Sequence, residues 1–457
     1  MRMRIPDEIK VSAEASYGNG QIHADLMNPH YRAWLQFLEE SESWTAAQIA
    51  EYQLEQLKKI ILHSYQNCPA YRNIFDREGI TPADIQSLDD FEKVPFVTKE
   101  DLRDRLEEFS CPWPDRKYVT TGGSTGIPFG FYRDDVAFGR ELASKAHQYH
   151  RIGWKEGDRQ LVFRGLSIHT PDHTTYVPEF EELRFSSYHL TPEDMEGFYL
   201  RALAYQPKWL RCYPSSGHIF ARFLDERGWK IPSIEGVLCA SENLYEFQRK
   251  LLQKVFGERV YSHYGHYELA VLAGYCERVP AYHVLPQYGY AELLDRHGER
   301  VQTPGEIGEI VATSFLMYAT PMIRYRTRDY AAFRSNACAE CGRPYEVWDR
   351  IEGRLQEFVV TGTGRLISMT AINMHDCTFD CVRQFQFHQA EQGEITLNYV
   401  PRPECNHSAL AFLRSRVMEK LGNDVNLSLR PVEEIPLTAR GKHRFLIQEL
   451  PVEFHDE

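Results

Sequence analysis

The chain has 457 residues, with 52 basic and 65 acidic side chains and a formal net charge of −13 at pH 7. This length exceeds what one hydrophobic core usually serves, and it predicts a globular protein of two or three domains. The acidic balance argues against nucleic acid or an anionic membrane as the main partner.

The N-terminal sequence and the cysteine content both bear on the cellular compartment. The first ten residues, MRMRIPDEIK, lack the apolar run of a signal peptide. No segment approaches the roughly 20 apolar residues needed to span a bilayer. Ten cysteines in a chain of this length are not the disulfide framework of a small secreted domain. We therefore expect a cytoplasmic protein whose cysteines are mostly buried thiols, with a minority acting as metal ligands.

Helical patterns alternate with breaks in the first part of the chain. An apolar period near 3.6 residues runs through 44–66, the segment NCPAYR interrupts it, and a further helical pattern follows. Thr98 precedes a lysine and two acidic residues, which predicts a helix N-cap with acidic side chains in the first turn. We interpret 1–110 as a helical preamble that serves as a scaffold.

Residues 120–130 read TTGGSTGIPFG, a stretch rich in glycine and hydroxyl groups. Its glycines allow positive φ and close approach, so backbone N–H groups can converge on one anion while the hydroxyls donate further hydrogen bonds. A Walker loop would need a lysine after the last glycine, whereas isoleucine and proline stand there. The stretch predicts a phosphate-binding loop whose neutralising cation lies elsewhere. The predicted contact residues are Thr121, Gly122, Gly123, Ser124, Thr125 and Gly126.

Strand and helix patterns alternate after this loop. A long amphipathic helix in 134–154 precedes a strand in 159–166, and the order strand, loop, helix recurs up to residue 268. This alternation predicts a layered α/β sheet whose ligands lie at the carboxyl ends of the strands. Short alternating runs between 283 and 334 indicate β structure flanking the site.

The domain organisation follows from these patterns. A segment of about a hundred residues, opening with GRLQEF near 353, carries its own βα pattern. We predict an α/β protein with a large N-terminal domain, 1–352, which contains the helical preamble and the β-rich part. A small α+β C-terminal domain, 353–457, completes the chain.

Three further motifs follow the glycine-rich loop: YSHYGHYE at 261–268, MIRYRTRD at 322–329 and TARGKHRF at 438–445. Together with TTGGSTG they resemble the adenylate-forming superfamily of acyl-CoA synthetases, over nearly the whole chain. Within that superfamily they are most similar to the group of phenylacetate-CoA ligase, CapK and coenzyme F390 synthetase. The resemblance implies the adenylate-forming fold, with 1–352 binding ATP and the acid, and ATP and Mg²⁺ as cofactors.

The resemblance assigns roles to individual residues of the large domain. Glu268 matches the acidic residue that holds Mg²⁺ near the phosphates, and Tyr264 and Gly265 match the positions that pack on the adenine. Asp329 matches the aspartate that accepts hydrogen bonds from both ribose hydroxyls, a task suited to two oxygens. The segment around Ser241 and Glu242 is expected to line the nucleotide and acid sites, where nearby aromatic residues would suit an apolar acyl group.

Further matches concern the cations and the C-terminal domain. Lys442 resembles the lysine that reaches the carboxylate and the α-phosphate during adenylation, and it would supply the missing cation. Gly353 and Arg354 match the hinge about which this domain turns, although Gln356 replaces the usual acidic pivot. Arg328 stands where the family usually has glycine. Strand alternation places Arg324 and Arg326 on one face. Two interpretations stay open: both are ordinary strand charges, or at least one contacts phosphate.

Residues 338–341 read CAEC, and a C-x₂-C turn brings two thiolates together. The order of segments in the related group adds Cys276 and His283 to Cys338 and Cys341, a ligand set suited to structural Zn²⁺. Four other cysteines are interpreted as core or interface thiols: Cys212, Cys239, Cys377 and Cys381.

The predicted activity is ATP-dependent conversion of a carboxylic acid to acyl-AMP with release of pyrophosphate, followed by acyl transfer to CoA. Two enzymatic alternatives stay open: nucleotidyl transfer of the coenzyme F390 synthetase type, and acyl transfer to an amine or a sugar as in a CapK-like capsule pathway. A third is a nucleotide-binding protein without turnover, suggested by Arg328 and Gln356. The identity of the acid and the oligomeric state, a homodimer included, are also left open.

Overall fold

The computed structural model describes residues 29–120, 129–164, 168, 170–187, 189–354, 357–372, 377–438 and 443–452. The predictions for the loop residues Thr121, Gly122, Gly123, Ser124, Thr125 and Gly126, and for Gln356 and Lys442, lie outside these residues. None of the described helices is both long enough and apolar enough to cross a membrane.

The described helices are α1 (Pro29–Ser41), α2 (Ala46–Asn67), α3 (Pro69–Glu78), α4 (Lys99–Asp104), α5 (Leu106–Phe109), α6 (Asp135–Arg151), α7 (Pro192–Tyr205), α8 (Pro214–Arg227), α9 (Glu246–Phe256), α10 (Met369–Ile372) and α11 (His407–Leu421). The described strands are β1 (Lys117–Thr120), β2 (Gly130–Arg133), β3 (Gln160–Arg164), β4 (Thr174–Val177), β5 (Glu182–Ser186), β6 (Trp209–Cys212), β7 (Gly236–Ala240), β8 (Val260–Gly265), β9 (Leu272–Tyr275), β10 (Tyr282–Val284), β11 (Gly289–Leu294), β12 (Ile307–Ser314), β13 (Tyr325–Ser335), β14 (Val347–Arg354), β15 (Phe358–Val360), β16 (Leu366–Ser368), β17 (Val382–Glu391), β18 (Glu394–Pro401), β19 (Asn426–Pro431) and β20 (Leu446–Gln448).

The described chain divides into two compact units. The first unit comprises 29–153 and 263–358, and the second comprises 154–262 and 359–450. Strand β8 passes from the second unit to the first between residues 262 and 263. The sequence analysis placed a domain boundary at 352/353, before a C-terminal domain that would rotate as a whole. That boundary stays a prediction.

Helices α1–α6 form the N-terminal part of the first unit, and their ends follow the sequence signals. Thr45 caps α2 through a capping box with Gln48. Pro69 opens α3, and Gly79, at φ 68°, ends it in the left-handed conformation that favours glycine. Thr98 caps α4 by accepting a hydrogen bond from the Asp101 amide, as predicted.

The sheet of the first unit is antiparallel, with the strand order β11-β12-β13-β14-β10-β9. Residues 263–265 of β8 pair with β9. These strands confirm the β structure predicted between 283 and 334. The pairing sets Asp329 of β13 opposite Arg354 of β14, so two predicted site residues are cross-strand neighbours.

The second unit contains the predicted alternation of strands and helices. Strands β7, β6, β3 and β5 are parallel neighbours, and β4 closes the edge in antiparallel pairing with β5. Strand β6 leads into α8, and β7 leads into α9, which places the loops that follow these strands at one edge of the sheet. The α/β prediction is confirmed here.

The C-terminal part of the second unit is α+β, as predicted. A four-stranded sheet in the order β19-β18-β17-β20 packs against α11 through apolar residues such as Phe387, Leu397 and Leu413. The same apolar cluster includes Tyr245 at the start of α9. Its ring lies 5.1 Å from that of Phe445.

Arg324, immediately before β13, is a buried anchor of the first unit. Its guanidinium forms a bidentate pair with Glu292, with Nη2–Oε1 at 2.8 Å and Nε–Oε2 at 3.1 Å. It also donates to the carbonyl oxygens of Glu92 and Val94 at 2.5 and 2.8 Å. Arg324 is 4% exposed and Glu292 is 1% exposed. The pair therefore ties the segment before α4 to the strands of the first unit.

We predict that Arg324→Ala lowers the free energy of unfolding by about 3–5 kcal/mol, because it leaves Glu292 as a buried carboxylate without its cation. Urea unfolding followed by tryptophan fluorescence measures this loss. The control is Arg296→Ala at an exposed turn position, which should change the free energy by less than about 0.5 kcal/mol. A loss below about 1 kcal/mol for Arg324→Ala would contradict the anchoring role.

Candidate nucleotide and acid site

Glu268 lies at the centre of the cluster of predicted site residues in the first unit. Its side chain is 9% exposed. His266 Nδ1 lies 3.3 Å from Oε2, Lys99 Nζ lies 3.8 Å from Oε1, and the Tyr325 hydroxyl lies 3.4 Å from Oε1. Burial acts to raise the pKa of the Glu268 carboxyl, but the contacts with His266 and the charge of Lys99 outweigh it and lower the pKa to about 2. Glu268 is therefore an ionised oxygen ligand of the kind that Mg²⁺ prefers.

Lys99 is a member of this cluster that the sequence analysis did not assign. Two backbone hydrogen bonds position it: Val97 N donates to Arg324 O at 3.1 Å, and Arg326 N donates to Val97 O at 2.9 Å. Thr98 then caps α4, and Lys99 is its first residue. The Lys99 ammonium also lies 5.3 Å from the centre of the ring of Phe129, which belongs to the glycine-rich stretch 120–130. The preamble is therefore more than a scaffold, because it delivers a cation to Glu268.

Asp329 is held by residues of β8 and β14. The Tyr264 hydroxyl donates to Oδ2 at 2.8 Å, and Arg354 Nε donates to Oδ1 at 3.0 Å. Burial, followed by the charge of Asp329, raises the pKa of Tyr264, so its hydroxyl stays a donor. An ionised carboxylate has about four acceptor positions, and these two bonds leave acceptor capacity for further donors such as ribose hydroxyls. The structure thus brings Tyr264, Asp329 and Arg354 together.

The backbone conformation of Arg328 accounts for the glycine that the resembled family usually has at this position. Its φ is 60°, in the left-handed region, which costs a residue with a side chain about 1–2 kcal/mol. The guanidinium pairs with Glu100 at 2.8 Å, and the Arg328 side chain is 59% exposed. Arg328 thus adopts the left-handed conformation that glycine favours, and its positive charge pairs with Glu100 of α4.

The other two arginines of the RYRTRD segment are bound to carboxylates. Arg324 is the buried anchor described above, and it precedes β13 instead of alternating along it. Arg326 donates to Glu309 through Nε at 3.0 Å and through Nη2 at 2.5 Å. These contacts give both arginines structural partners, and the geometry gives no support to the interpretation that one of them contacts phosphate.

Ser241 and Glu242 belong to the second unit, at the carboxyl end of β7. Ser241 has a φ of 68°, a strained conformation of the kind found at ligand sites. Glu242 accepts hydrogen bonds from the Ser215 amide at 2.9 Å and from the Ser215 hydroxyl at 3.0 Å. The carboxylate therefore caps the first turn of α8, where the helix dipole favours negative charge. Their contact with a cofactor stays a prediction.

The four residues Cys276, His283, Cys338 and Cys341 come together in the first unit. Their ligand atoms all lie within 4.8 Å of one another. The Cys338–Cys276 sulfur separation is 4.0 Å, and Cys341 Sγ lies 3.8 Å from His283 Nε2. Among the described residues, no hydrogen-bond partner reaches the buried His283 Nδ1. The cluster has the donor set and the compactness of a metal site.

Backbone and charge contacts support this cluster. Cys338 N donates to Arg343 O at 2.9 Å, and Gly342, at φ 81°, closes the turn by donating to Cys338 O at 2.8 Å. The Arg343 side chain pairs with Glu277 at 2.6 Å and with Glu42 at 3.3 Å. The turn that holds two of the thiols is therefore fixed to the end of α1 and to the residue after Cys276.

We predict that Lys99→Gln raises the pKa of the Glu268 carboxyl by about one pH unit, because a cation within 4 Å favours the ionised form. Carbon-13 NMR titration of side-chain-labelled glutamate between pH 1 and 6 measures this, with Glu268→Gln identifying the resonance. Lys58→Gln, which removes a lysine bound to Gln86, should leave the titration unchanged. An unaltered Glu268 pKa in Lys99→Gln would show that the two charges do not interact.

The chain is similar to known proteins in sequence and in fold. A family model described as the CapK C-terminal domain matches residues 359–449. Phenylacetate-coenzyme A ligase of Pseudomonas putida is 25% identical over 345 residues, which cover 73% of this chain and 77% of that protein. Protein CapK of Staphylococcus aureus is 21% identical over 414 residues, which cover 88% and 89%.

The fold is shared with a solved CoA ligase. The structure of 2-hydroxyisobutyryl-CoA ligase in the postadenylation state, in complex with R3-HIB-AMP, superposes with a TM-score of 0.72 at 20% identity. The match covers 90% of this chain and 91% of that one. This match shows that the chain shares the fold of that ligase. The sequence relatives and the C-terminal match support the resemblance of the chain to the group of phenylacetate-CoA ligase and CapK.

Proposed function

We propose that this protein is an AMP-forming acid-CoA ligase that activates a carboxylic acid with ATP and passes the acyl group to CoA. The observation that carries this proposal is the cluster in the first unit: an ionised, buried Glu268 beside Lys99, with Asp329 held by Tyr264 and Arg354. The relatives include phenylacetate-coenzyme A ligases, and the solved neighbours include a CoA ligase with an acyl-AMP and CoA.

In the adenylation step, a carboxylate oxygen of the acid attacks the α-phosphorus of ATP and pyrophosphate leaves. Asp329 accepts hydrogen bonds from the ribose hydroxyls and orients the nucleotide. Glu268 would hold Mg²⁺, and the bound ion would neutralise phosphate charge. Lys99 stabilises the negative charge at the metal-binding carboxylate, and its position next to Phe129 suits a contact with the departing phosphates.

Two further parts of the mechanism fall outside the described residues. The loop Thr121, Gly122, Gly123, Ser124, Thr125 and Gly126 binds the phosphates through backbone N–H and hydroxyl groups. Lys442 provides the cation that bridges the carboxylate and the α-phosphate in the transition state. After adenylation the C-terminal domain turns about Gly353 and Arg354, the CoA thiol attacks the acyl carbon of acyl-AMP, and AMP leaves as the thioester forms. The family resemblance supports these assignments.

We propose that the Cys276, His283, Cys338 and Cys341 cluster binds one structural Zn²⁺. Tetrahedral ligands at about 2.3 Å from zinc are about 3.8 Å apart, which matches the separations of 4.0 and 3.8 Å. Four protein ligands would close the site, so the ion would stabilise the fold and would not take part in the chemistry. A cytoplasmic location remains a prediction of the sequence, and the oligomeric state, a homodimer included, stays open.

The zinc assignment predicts about one zinc per chain by metal analysis of purified protein. Changing both knuckle cysteines, Cys338→Ser and Cys341→Ser, should release the metal and lower the melting temperature, because the metal-binding energy is folding energy. Cys212→Ser together with Cys239→Ser, at two buried thiols of the second unit, should retain the zinc. A well-folded wild-type protein without zinc would refute the assignment.

The activity assignment predicts pyrophosphate release that depends on the acid. A panel of aromatic and aliphatic carboxylic acids, phenylacetate included, is assayed with ATP and Mg²⁺ against a control without acid. Acid-dependent release supports activation. Acid-independent release that requires a hydroxyl-bearing cofactor would indicate nucleotidyl transfer, and no release under any condition would indicate a binding protein. With an active acid, acceptor assays then separate CoA from amines and sugars.

The assignment of Lys442 predicts that the two half-reactions respond differently to Lys442→Ala. Loss of a transition-state charge should lower kcat/KM for adenylation by roughly 100-fold or more while ATP affinity changes little. Transfer from a pre-made acyl-AMP to CoA should fall far less, because rotation has removed the lysine from the site. Lys420→Ala, at an exposed position of α11, is the matched control. Equal losses in both half-reactions would argue against rotation.

A further inference from the structure

Two thiols meet at one end of the four-stranded C-terminal sheet. Cys381 lies immediately before β17, and Cys405 lies immediately before Asn406, the N-cap of α11. Both side chains are free thiols, both are half-buried, and both pack against the same apolar cluster. From the sequence, Cys381 was interpreted as a core or interface thiol and Cys405 was not assigned. The fold therefore pairs two cysteines that the sequence leaves apart.

Arg402 connects the backbones of the two cysteines. Its N–H donates to the Cys381 carbonyl oxygen at 3.1 Å, and its carbonyl oxygen accepts from the Cys405 N–H at 3.0 Å. Val382, which follows Cys381, is the cross-strand partner of Pro401, which precedes Arg402. Bonding of both cysteines to one residue keeps them near the separation of about 4–7 Å between Cα atoms that a disulfide requires.

The two sulfur atoms are close enough to affect each other and a neighbouring phenol. Burial, followed by the interaction with the Cys405 thiol, raises the pKa of the Cys381 thiol to about 11. Burial, followed by the charges of the ionised forms of Cys405 and Cys381, raises the pKa of Tyr399. The thiolate is the nucleophilic form of cysteine. Because Cys381 keeps its proton at neutral pH, Cys405 is the sulfur that attacks an oxidant, and Cys381 is the resolving thiol.

Exposure distinguishes this pair from two other pairs of neighbouring thiols. Cys68 and Cys111 interact and are both buried, and the same holds for Cys212 and Cys239. A small oxidant reaches a half-buried sulfur more readily than a fully buried one. In a reducing compartment, such as the cytoplasm that the sequence predicts, a disulfide between such thiols is transient and responds to oxidants.

The turn that carries the pair also contacts α8. Arg402 Nη1 lies 3.1 Å from Glu226 Oε1, and Arg222 Nη1 donates to the carbonyl oxygen of Arg383 at 2.5 Å. The backbone of Arg402 is bonded to both cysteines, so a covalent bond between the sulfurs would restrict Arg402 to the position from which it reaches Glu226. The C-terminal sheet would then be held on α8.

We propose that Cys381 and Cys405 are a redox-modification site, in which a peroxide converts the two thiols to a reversible disulfide that holds the C-terminal sheet on α8. The Cys405 thiolate attacks one oxygen of hydrogen peroxide, which gives a sulfenic acid and hydroxide, and the hydroxide takes up the former thiol proton to become water. The Cys381 sulfur then attacks the sulfenic sulfur, and a second water leaves with the Cys381 proton as the S–S bond forms. The sulfurs lose two electrons in total, and the peroxide gains them. The effect on turnover rests on the proposed function, in which the C-terminal domain has to turn.

The test of the bond needs no substrate. The purified chain is treated with hydrogen peroxide, alkylated and digested, and its peptides are mapped by mass spectrometry with and without dithiothreitol. A Cys381–Cys405 link should appear in the wild type, should be lost on reduction, and should be absent from Cys405→Ser. Cys377→Ser, at the next cysteine towards the N-terminus, should keep the link. No link in the wild type, or a link to Cys377 instead, would overturn the proposal independently of the proposed function.

The test of the consequence uses an acid that the enzyme activates. Oxidation of the wild type should lower the overall rate of thioester formation at least about 3-fold, the small factor expected of a surface contact. One half-reaction measured alone should stay within about 2-fold, because only one of the two needs the domain to leave this contact. Dithiothreitol should restore the rate, and Cys405→Ser should keep its rate in peroxide. Unchanged turnover of the linked protein, or equal losses in both half-reactions, would overturn the effect on the domain. Pyrophosphate release with none of the acids would overturn the proposed function, and this effect with it.

Discussion

The site of the first unit depends on the docking of the segment before α4 onto β13. Two backbone hydrogen bonds join Val97 to Arg324 and Arg326, and the Arg324 guanidinium holds the carbonyl groups of Glu92 and Val94 while pairing with Glu292. Because backbone atoms carry most of this docking, its register is fixed. The first two residues of α4 then deliver a cation to Glu268 and an anion to Arg328.

The charges of this region form a balanced set. Glu268 is flanked by Lys99, Glu100 by Arg328, Asp329 by Arg354, and Glu309 by Arg326. A buried carboxylate without such a partner would take up a proton instead of staying ionised. The arrangement keeps the Glu268 carboxyl ionised at neutral pH. An oxygen ligand of a divalent cation has to be in that state.

The sequence was most informative for features that depend on residues close together in the chain. The CAEC knuckle, the strand-to-helix order around α8 and α9, and the Thr98 cap could all be predicted, because local geometry decides them. Lys99 could not be assigned, because a lysine at the start of a helix is ordinary until the fold shows what it faces. The role of Arg324 was missed for the same reason, since its partner Glu292 is 32 residues away.

The docking of α4 also bears on how such enzymes can be recombined. A chimera that transplants residues 263–358 as the catalytic cassette would carry Glu268, Asp329 and Arg354 but would leave Lys99 and the Val97 backbone contacts behind. The recipient would then present its own residue to Glu268, in a register set by its own loop. The natural unit of exchange is therefore discontinuous, and residues 92–101 have to travel with the strands that they bind.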